Sequence, residues 1–338
     1  MAFPQITPNP LPYDRTLDLV GNATYKNTEN FDMWGSIIIN SGITLANSAP
    51  FNINTGRLTN SGQIINSDTI HFANFERLLA GLNNALVKDS LQVPALLENH
   101  SHINNFGAIT GHTLIINFGF FNNHSMLEIG FSFYNESTST LSNSGPDAIT
   151  INNAIVINNG SIVNTNGGGF LTSSRGEYYG NGTISGGFTN KGIFNPGNSI
   201  NPGNSTGGHK IIGNFDHLTG GLMQIELGGT ENFDFNRIKT EHDFTEITGD
   251  LIVNGGKLEV SLIDDFKLQR GQEFIIAKVD GELIGEYDGL SEGASIGHFD
   301  SIYGNKIGLN ITYTAGNGND IALYTEPLTN PDMIFNYV

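Results

Sequence analysis

The sequence predicts an all-β fold, a parallel β-helix (β-solenoid) built from short strands and tight bends. Three observations predict it: a six-residue repeat, an abundance of turn-forming residues, and little charge. Of the 338 residues, 14% are charged and 43 are Gly. Asn, Gly and Ser favour turns, whereas Ile, Phe, Val and Thr favour strands. Many short strands therefore fit this composition better than helices do.

The repeat has the form Asn-x-Gly-x-Ile-x. One apolar side chain in six cannot line a helix face, which needs apolar residues at spacings of three and four. It can line a solenoid, because a strand supplies the inward side chain and Asn-x-Gly supplies the bend. About three units would close a coil of roughly 18 to 22 residues, with stacked Asn side chains forming amide ladders. Clear copies, each Asn given with its apolar partner, are Asn54 and Leu58, Asn60 and Ile64, Asn66 and Ile70, Asn99 and Ile103, Asn105 and Ile109, Asn117 and Phe121, Asn123 and Leu127, Asn152 and Val156, and Asn158 and Ile162.

Low complexity is the alternative explanation, because Asn/Ser/Gly-rich sequence can be disordered. Hydrophobic residues make up 38% of the chain. They fall in phase with the Asn positions, which allows them to be buried together as they would not be in a disordered chain. An ordered solenoid is therefore favoured.

The repeat divides the chain into four parts. We expect an N-terminal arm and cap over 1–39, a hexad-repeat solenoid over 40–195, a β-rich C-terminal module over 196–325, and an apolar tail over 326–338. Several prolines at the very start favour an extended arm, and Trp34 is expected to plug the first coil. One segment breaks the frame, since apolar residues at helical spacing predict a short inserted helix at about 72–88.

The texture changes near Asn195, where two copies of Asn-Pro-Gly-Asn-Ser mark a boundary. Longer alternating strands are predicted after it. They are expected at Ile211–Phe215, Leu222–Leu227, Phe244–Val253, Lys257–Ile263, Glu273–Val279 and Ile307–Tyr313.

A series of motifs in this second half resembles bacterial autotransporter passengers and related surface adhesins. The motifs run from Pro-Gly-Asn-Ser through Gly220–Gly229 and Gly255–Leu262 to Tyr313–Leu323, and cover roughly residues 194 to 325. The repeats of the first half are similar to those of filamentous-haemagglutinin-like β-helices. The resemblance implies a right-handed parallel β-helix presented outside the cell, ending in a β-rich cap. Neither an outer-membrane barrel nor a sorting helix follows the resembled region, which departs from the family pattern.

Charge and cysteine content exclude several partners. The formal net charge is -18, with 15 Lys and Arg against 33 Asp and Glu. Nucleic acid and anionic membranes need a cationic surface, so neither is an expected partner. The chain has no Cys, which excludes disulfides and thiolate chemistry. The N-terminal segment lacks the features of a secretory leader, and we expect either trimming or leaderless export.

Histidines are the first candidates for chemistry. His100, His112 and His124 share one position of the hexad at intervals of 12. If three hexads make a coil, these side chains fall on different walls, so they are not expected to converge on a metal. His102 lies close by in sequence. Surface histidines beside the corners are the favoured interpretation.

Acidic candidates are few. Gly316–Asp320 resembles one copy of a calcium-binding nonapeptide, but a β-turn is favoured because a single copy lacks a stacked neighbour. Asp264 and Asp265, if in a strand, would point to opposite faces. From residue 99 to 166 the acids are Glu128, Glu136 and Asp147, with no Lys or Arg. We therefore assign no catalytic, cofactor-binding or metal-binding residue, and no cofactor.

The function expected from these observations is that of a non-catalytic structural or adhesive protein at the bacterial cell surface or outside the cell. Expected partners are further copies of the chain, joined head-to-tail through the termini or laterally, and glycans or a neighbouring cell surface. The alternative is a tailspike-like or carbohydrate-active β-helix that binds or cleaves a polysaccharide. Tyr134, Tyr178, Tyr179 and Trp34 are the candidates for stacking on sugar, although a place in the core or cap is favoured.

Overall fold

The computed structural model describes residues 4–7, 9–12, 15–21, 23–54, 56–72, 95–197, 206–230 and 241–327. Every regular element in these ranges is a β-strand, and most strands pair in parallel with the strand one coil away. The predicted class, an all-β parallel β-helix, is confirmed. The helix predicted at about 72–88 lies, beyond Phe72, outside the described residues, as does the apolar tail beyond residue 327. The described part of the chain contains no helix with the length and apolar character needed to cross a bilayer.

The chain divides into two compact units, Met1–Tyr178 with Gly182–Gly186, and Tyr179–Asn181 with Gly187–Val338. The strands up to residue 186 are short, mostly three to five residues. In chain order they are β1 (Thr16–Leu19), β2 (Thr24–Asn27), β3 (Phe31–Met33), β4 (Ser36–Ile39), β5 (Thr44–Asn47), β6 (Phe51–Ile53), β7 (Arg57–Asn60), β8 (Gln63–Asn66), β9 (Thr69–Phe72), β10 (Ala95–Asn99), β11 (His102–Asn105), β12 (Ala108–Gly111), β13 (Thr113–Asn117), β14 (Phe120–Asn123), β15 (Met126–Ile129), β16 (Ser132–Asn135), β17 (Thr140–Ser144), β18 (Ile149–Asn152), β19 (Ile155–Asn158), β20 (Ser161–Thr165), β21 (Gly169–Thr172), β22 (Glu177–Tyr179) and β23 (Thr183–Ser185).

The first unit winds through three parallel sheets, to which each coil contributes one strand apiece. The first sheet has the order β1-β4-β7-β10-β13-β16-β19, the second β2-β5-β8-β11-β14-β17-β20-β23, and the third β3-β6-β9-β12-β15-β18-β21. The pairing of Leu96 with Leu114 shows the register, because neighbours one coil apart are 18 residues apart here. Three hexads therefore make one coil, as the sequence predicts.

Inside the coils, many strands of the first and second sheets bury an apolar side chain and, two residues later, an Asn. In β11, for example, Ile103 and Asn105 point inward and are almost fully buried. The inward Asn side chains donate hydrogen bonds from rung to rung, at 2.7–2.9 Å between amide nitrogen and amide oxygen, which confirms the predicted ladders. One ladder, in the second sheet, contains Asn27, Asn47, Asn66, Asn105, Asn123, Asn143 and Asn164; the other, in the first sheet, contains Asn60, Asn99, Asn117, Asn135 and Asn158.

The winding begins at β1, well before residue 40, where the hexad pattern becomes legible. The first coil buries Leu19, Phe31 and Met33, but its bends contain no Asn-x-Gly unit. The arm covers its end, because Ile6 and Leu11 are 5% and 1% exposed. Trp34, expected to plug this coil, is half-buried at the bend after β3. The arm therefore supplies the apolar cover that the sequence assigned to tryptophan.

The second unit also contains three sheets. Its strands are β24 (Phe188–Asn190), β25 (Ile193–Asn195), β26 (Gly208–Ile212), β27 (Phe215–Leu218), β28 (Leu222–Leu227), β29 (Phe244–Ile247), β30 (Leu251–Asn254), β31 (Lys257–Leu262), β32 (Glu273–Val279), β33 (Leu283–Glu286), β34 (Ser295–Asp300), β35 (Lys306–Ala315) and β36 (Asp320–Tyr324). Two sheets, β25-β28-β31 and β24-β27-β30-β33, are parallel, while the third, β26-β29-β32-β36-β35-β34, becomes antiparallel after β32. The strand predicted over Phe244–Val253 is two strands, because Thr248–Asp250 turns a corner between sheets.

Candidate binding site

Aromatic side chains surround two successive coils of the first unit, residues 95–112 and 113–131. Each coil has three corners: corner one follows the first sheet, corner two the second sheet, and corner three the third sheet. At every corner a His of one coil packs against a Phe of the other, with ring centroids 4.6–5.0 Å apart. These pairs form what we call the aromatic belt: His100–Phe118 and His102–Phe120 at corner one, Phe106–His124 at corner two, and His112–Phe131 at corner three.

Two of the four pairs, His100–Phe118 and Phe106–His124, follow from two periods in the sequence. The first residue of the corner alternates between His and Phe every six positions, from His100 through Phe106 and His112 to Phe118 and His124. Gly130 ends this alternation, so His112 pairs with Phe131, 19 residues on. One coil, such as that from Asn99 to Asn117, advances the chain by 18 residues and so contains three of these steps. Moving up one coil therefore exchanges His for Phe. Because parallel strands stack at about 4.8 Å, which is the contact distance of two rings, heterotypic ring pairs are built into the repeat.

The Phe rings of the belt remain open to solvent on their outer faces. Phe106, Phe118, Phe120 and Phe131 are 54%, 42%, 48% and 37% exposed. Packing against His covers one side of each Phe ring and leaves the other side exposed to solvent. Exposed aromatic rings that lie near each other, as Phe118 and Phe120 do at corner one, can mark a surface that contacts a partner.

The structure places the histidines identified in the sequence on different corners, as the spacing predicts. His100 lies at corner one, His124 at corner two and His112 at corner three. His100 also bonds the carboxylate of Glu98, with 2.8 Å between Nε2 and Oε1. Among the described residues, no three His, Asp or Glu side chains are grouped to hold a metal ion.

The belt phenylalanines were not predicted from the sequence. The signal was present, because Phe106 and Phe118 keep the same spacing as the histidines and interleave with them. The aromatic residues that the sequence did suggest for sugar stacking lie elsewhere. Tyr178 and Tyr179 are 0% and 2% exposed, which agrees with the favoured place in the core. Trp34 and Tyr134 are half-buried outside the belt.

A groove of about 470 Å³ lies at corner three, next to the His112–Phe131 pair. Its floor contains Gly111 and Gly130, where no side chain fits. A Cβ on Gly111 would lie 1.9 Å from the carbonyl oxygen of Phe72, and one on Gly130 would lie 2.4 Å from that of Gly111. We call this feature the corner groove; its polar walls are His71, His112, Glu128, Asn153, Ser173, Ser174 and Arg175.

Hydrogen bonds fix some of these walls and leave others open. Asn153 Nδ2 donates to Glu128 Oε1 at 2.9 Å, and His71 Nδ1 lies 3.2 Å from Thr110 Oγ1. The Nδ1 atom of His112 is buried and has no hydrogen-bond partner among the described residues. A buried ring nitrogen without a partner is uncommon and calls for an explanation such as a ligand.

The second unit buries titratable groups away from any described groove. Asp243 and Glu226 are 0% and 1% exposed, and burial followed by repulsion from Glu226 raises the pKa of Asp243. Two backbone amides, those of Gly207 and Glu226, donate to the Asp243 carboxyl group at 2.7 and 2.8 Å. A perturbed carboxyl pair can indicate catalysis. Here both groups are sealed in the core, and Asp243 holds the backbone, so we assign the pair to structure.

Three histidines of the second unit are also buried. Burial lowers the pKa of His209 to about 3 and that of His217 to about 4, and it also lowers the pKa of His242. His217 Nδ1 lies 3.1 Å from Asn190 Nδ2, and its Nε2 lies 3.4 Å from the carbonyl oxygen of Lys257. A neutral imidazole that accepts at Nδ1 and donates at Nε2 satisfies both contacts.

Two acidic motifs of the sequence occupy turns. Gly316–Asn319 forms the turn between β35 and β36, as favoured over a calcium site, and Asp320 Oδ1 accepts a hydrogen bond from the amide of Val279 at 2.8 Å. Asp264 and Asp265 lie in a turn with φ of 53° and 57°. They lie beyond the strand predicted at Lys257–Ile263, which the structure shows as β31 ending at Leu262, so the condition that would place them on opposite faces of a strand is not met.

The two features together suit recognition of a partner. The aromatic belt presents flat apolar rings, and the corner groove presents an acid, an amide, a guanidinium group and two imidazoles.

No protein-family model matches the chain, and no curated protein is significantly similar to it in sequence.

Proposed function

We propose that the protein is a non-catalytic structural or adhesive protein displayed at the surface of a bacterial cell or outside it. The observation that carries the proposal is the aromatic belt, whose four exposed Phe rings encircle two coils. Exposed apolar area of this kind is costly in water unless a partner covers it. A rigid solenoid holds the rings in fixed positions, which lowers the entropy lost on binding.

Charge supports a partner that is neutral or apolar at the contact. The chain carries a formal net charge of -18, which disfavours polyanions such as nucleic acid. The belt itself contributes imidazole and phenyl rings. A glycan or a protein surface on a neighbouring cell meets these requirements.

Adhesion of protein-coated fluorescent beads tests the proposal, with cultured epithelial cells and bacterial cells as the two surfaces. We expect beads carrying the native chain to be retained, and a variant with Phe106, Phe118, Phe120 and Phe131 all changed to Ser to be retained far less. The matched control changes four exposed apolar residues outside the belt, Ile149, Ile284, Ile302 and Tyr303, to Ser. Equal retention of all three proteins would contradict the proposal.

A second form of the proposal is self-assembly. The N-terminal arm forms parallel bridges to the first coil at Lys26 and Met33, and we expect the backbone on its other side to offer an edge on which a further copy pairs. Electron microscopy of the full chain and of a chain lacking residues 1–15 tests it. Filaments of the full chain that disappear on truncation are expected, and dispersed monomers at high concentration would contradict assembly.

The carbohydrate-active alternative is favoured only as far as binding. Hydrolysis of a glycosidic bond ordinarily uses two carboxyl groups placed about 5 to 10 Å apart. Glu128 is the acid among the residues that line the corner groove. Release of reducing sugar from bacterial polysaccharides would contradict the non-catalytic assignment.

A further inference from the structure

We propose that the corner groove binds one neutral pyranose residue of a glycan. This inference deepens the proposed adhesive function by naming a ligand class, and it rests on that function. The groove volume of about 470 Å³ exceeds what a single sugar ring needs and leaves room for its neighbours in a chain. Among the described residues the groove is partly open to solvent, so a sugar ring can enter it.

The concavity is built by the backbone and does not depend on side-chain rearrangement. Gly111 has φ of 108°, a conformation that L side chains rarely adopt, and the lack of a Cβ lets the backbone of Phe72 approach it closely. The carbonyl oxygen of Gly111 approaches Gly130, one coil above, in the same way. Two adjacent positions of the groove lining therefore carry no side chain that could fill the groove. A groove made in this way keeps its shape without ligand, which favours binding.

The walls carry the groups that recognise sugar hydroxyls. Carboxylate and amide groups bind adjacent hydroxyls through two atoms each, and Glu128 and Asn153 are already held together by a 2.9 Å hydrogen bond. The Nδ1 atom of His112, which has no partner among the described residues, is a further group that a hydroxyl can satisfy, because a hydroxyl both donates and accepts. Phe131 packs on the groove residue His112 and is 37% exposed, so its ring lies beside the groove without lining it.

Charge decides between a neutral and an ionic ligand. Arg175 is the sole Lys or Arg in residues 95–178, and it lines the groove together with Glu128. The two formal charges cancel, so neither an anion nor a cation gains a net attraction from them. A ligand with many hydroxyls and no charge fits this balance best.

Saturation-transfer NMR and calorimetry test the inference, with methyl α-D-mannopyranoside, methyl β-D-glucopyranoside, methyl β-D-galactopyranoside and N-acetylglucosamine as neutral probes. Glucuronate and inorganic phosphate are the charged comparators. We expect saturable binding of at least one neutral probe at millimolar concentration, and weaker binding of both anions. Absence of saturable binding to all neutral probes, or tighter binding of either anion, would overturn the inference.

Variants locate the binding. Glu128→Gln and Asn153→Ala are each expected to weaken sugar binding by about tenfold, the effect of losing one good hydrogen-bonded contact. Arg175→Ala, an exposed change with little risk to folding, is expected to weaken it as well. Glu136→Gln is the matched acid control and Ile149→Ala the matched apolar control, both outside the groove. Equal binding by the groove variants and the controls would refute the assignment.

Bead adhesion separates failure of this inference from failure of the proposed function. If the groove variants bind sugar as the native chain does, while the four-Phe variant loses adhesion, the groove assignment fails and adhesion through the belt stands. If sugar binding is absent and the four-Phe variant also adheres normally, both proposals fail.

Discussion

Inward asparagines show how single residues specify the register of the coils. An amide inside a ladder, such as that of Asn123, donates to one neighbouring rung and accepts from the other, so both of its polar ends are paired without water. A shift of one residue would place these amides outside and charged or exposed residues inside. The ladders therefore penalise misregistered coils more than an all-apolar core would.

Substitution of Asn123 and its neighbour Asn122 tests the contribution of a rung. Both belong to β14, and both make Asn–Asn side-chain hydrogen bonds of 2.8–2.9 Å, but Asn123 points inward and Asn122 outward. Asn123→Ala is expected to lower the free energy of unfolding by on the order of 2 to 4 kcal/mol, because it leaves buried partners unpaired. Asn122→Ala should cost about 1 kcal/mol or less. Denaturant titration measures both, and equal losses would contradict a special role for the ladder.

Acid is expected to destabilise the second unit through its buried histidines. The pKa of folded His217 lies near 4, below the ordinary value of 6.5, so the unfolded chain binds the proton more readily. Its contribution to stability is complete above pH 6.5 and is lost as pH falls toward 4. Asp243 acts in the opposite direction, because its raised pKa means that protonation on acidification favours the folded state.

Comparing His217→Gln with the native chain isolates the histidine. Between pH 7 and pH 4 the native chain should lose on the order of 2 to 3 kcal/mol more stability than the variant does. His298→Gln, at an exposed histidine of the same unit, should retain the native pH dependence. Parallel pH profiles for the native chain and His217→Gln, from denaturant titrations at each pH, would show that His217 is not responsible.

Residue spacing predicted the ladders but not the belt. The inward Asn could be recognised because Asn and an apolar residue keep a fixed offset in every hexad. The 12-residue spacing relates His100, His112 and His124 only to each other. Their ring contacts are with Phe118, Phe131 and Phe106, one coil away. Those contacts depend on the coil length, which decides the positions that meet between neighbouring coils and which no single hexad reveals.

At the scale of elements, corners limit the sequence more strongly than strands do. Gly111 and Gly145 both have positive φ, of 108° and 115°. A Cβ on Gly111 would clash with the backbone of the neighbouring coil, whereas one on Gly145 would meet nothing within 4 Å. The corner at Gly111 therefore requires glycine both because a Cβ has no space there and because the backbone has positive φ.

Alanine at these two positions separates the two effects. Gly145→Ala should lower stability by about 1 to 2 kcal/mol, the cost of an L residue in the left-handed region. Gly111→Ala should lower it by clearly more, because the backbone of Phe72 must also move. Thermal and denaturant unfolding of both variants measures the difference. Equal destabilisation would mean that the corner can relax.

Strands were predicted from the sequence where the hexad repeat or the apolar alternation is regular. They were missed where only pairing with a neighbouring coil makes a segment a strand. Residues 16–33 form a complete coil, yet they contain no Asn-x-Gly unit by which the repeat could be recognised. Stacking against the next coil, as Phe31 pairs with Phe51, provides the missing information. Local propensity does not contain it.

At the scale of the whole molecule, the two compact units differ in their buried polar groups, so we expect the stability of each to depend differently on pH. The asparagine ladders lie in the first unit, and the buried His209, His217 and His242 lie in the second. Calorimetry is expected to resolve two transitions, of which one moves to lower temperature as the pH falls from 7 to 4.5. Transitions that shift equally would contradict an independent acid response of the second unit.

Composition yields an expectation about the class of partner but none about the place of contact. Low charge and a negative balance direct attention away from nucleic acid, and these properties belong to the whole chain. The corner groove instead depends on Glu128, Asn153 and Arg175, which are far apart in sequence and meet because corners of successive coils stack. Only a known coil register brings such residues together.

The rungs that flank residues 73–94 have a consequence for engineering. Asn60 and Asn99 are 39 residues apart, yet their side chains are joined by a 2.8 Å hydrogen bond, like those of rungs separated by 18. Strand β10 likewise pairs with β7 in unbroken register. Additional chain at this corner therefore leaves the stack intact, and the position suits grafting of a foreign peptide or reporter for display on the solenoid. The same tolerance gives evolution a place to lengthen or replace a segment without redesigning the core.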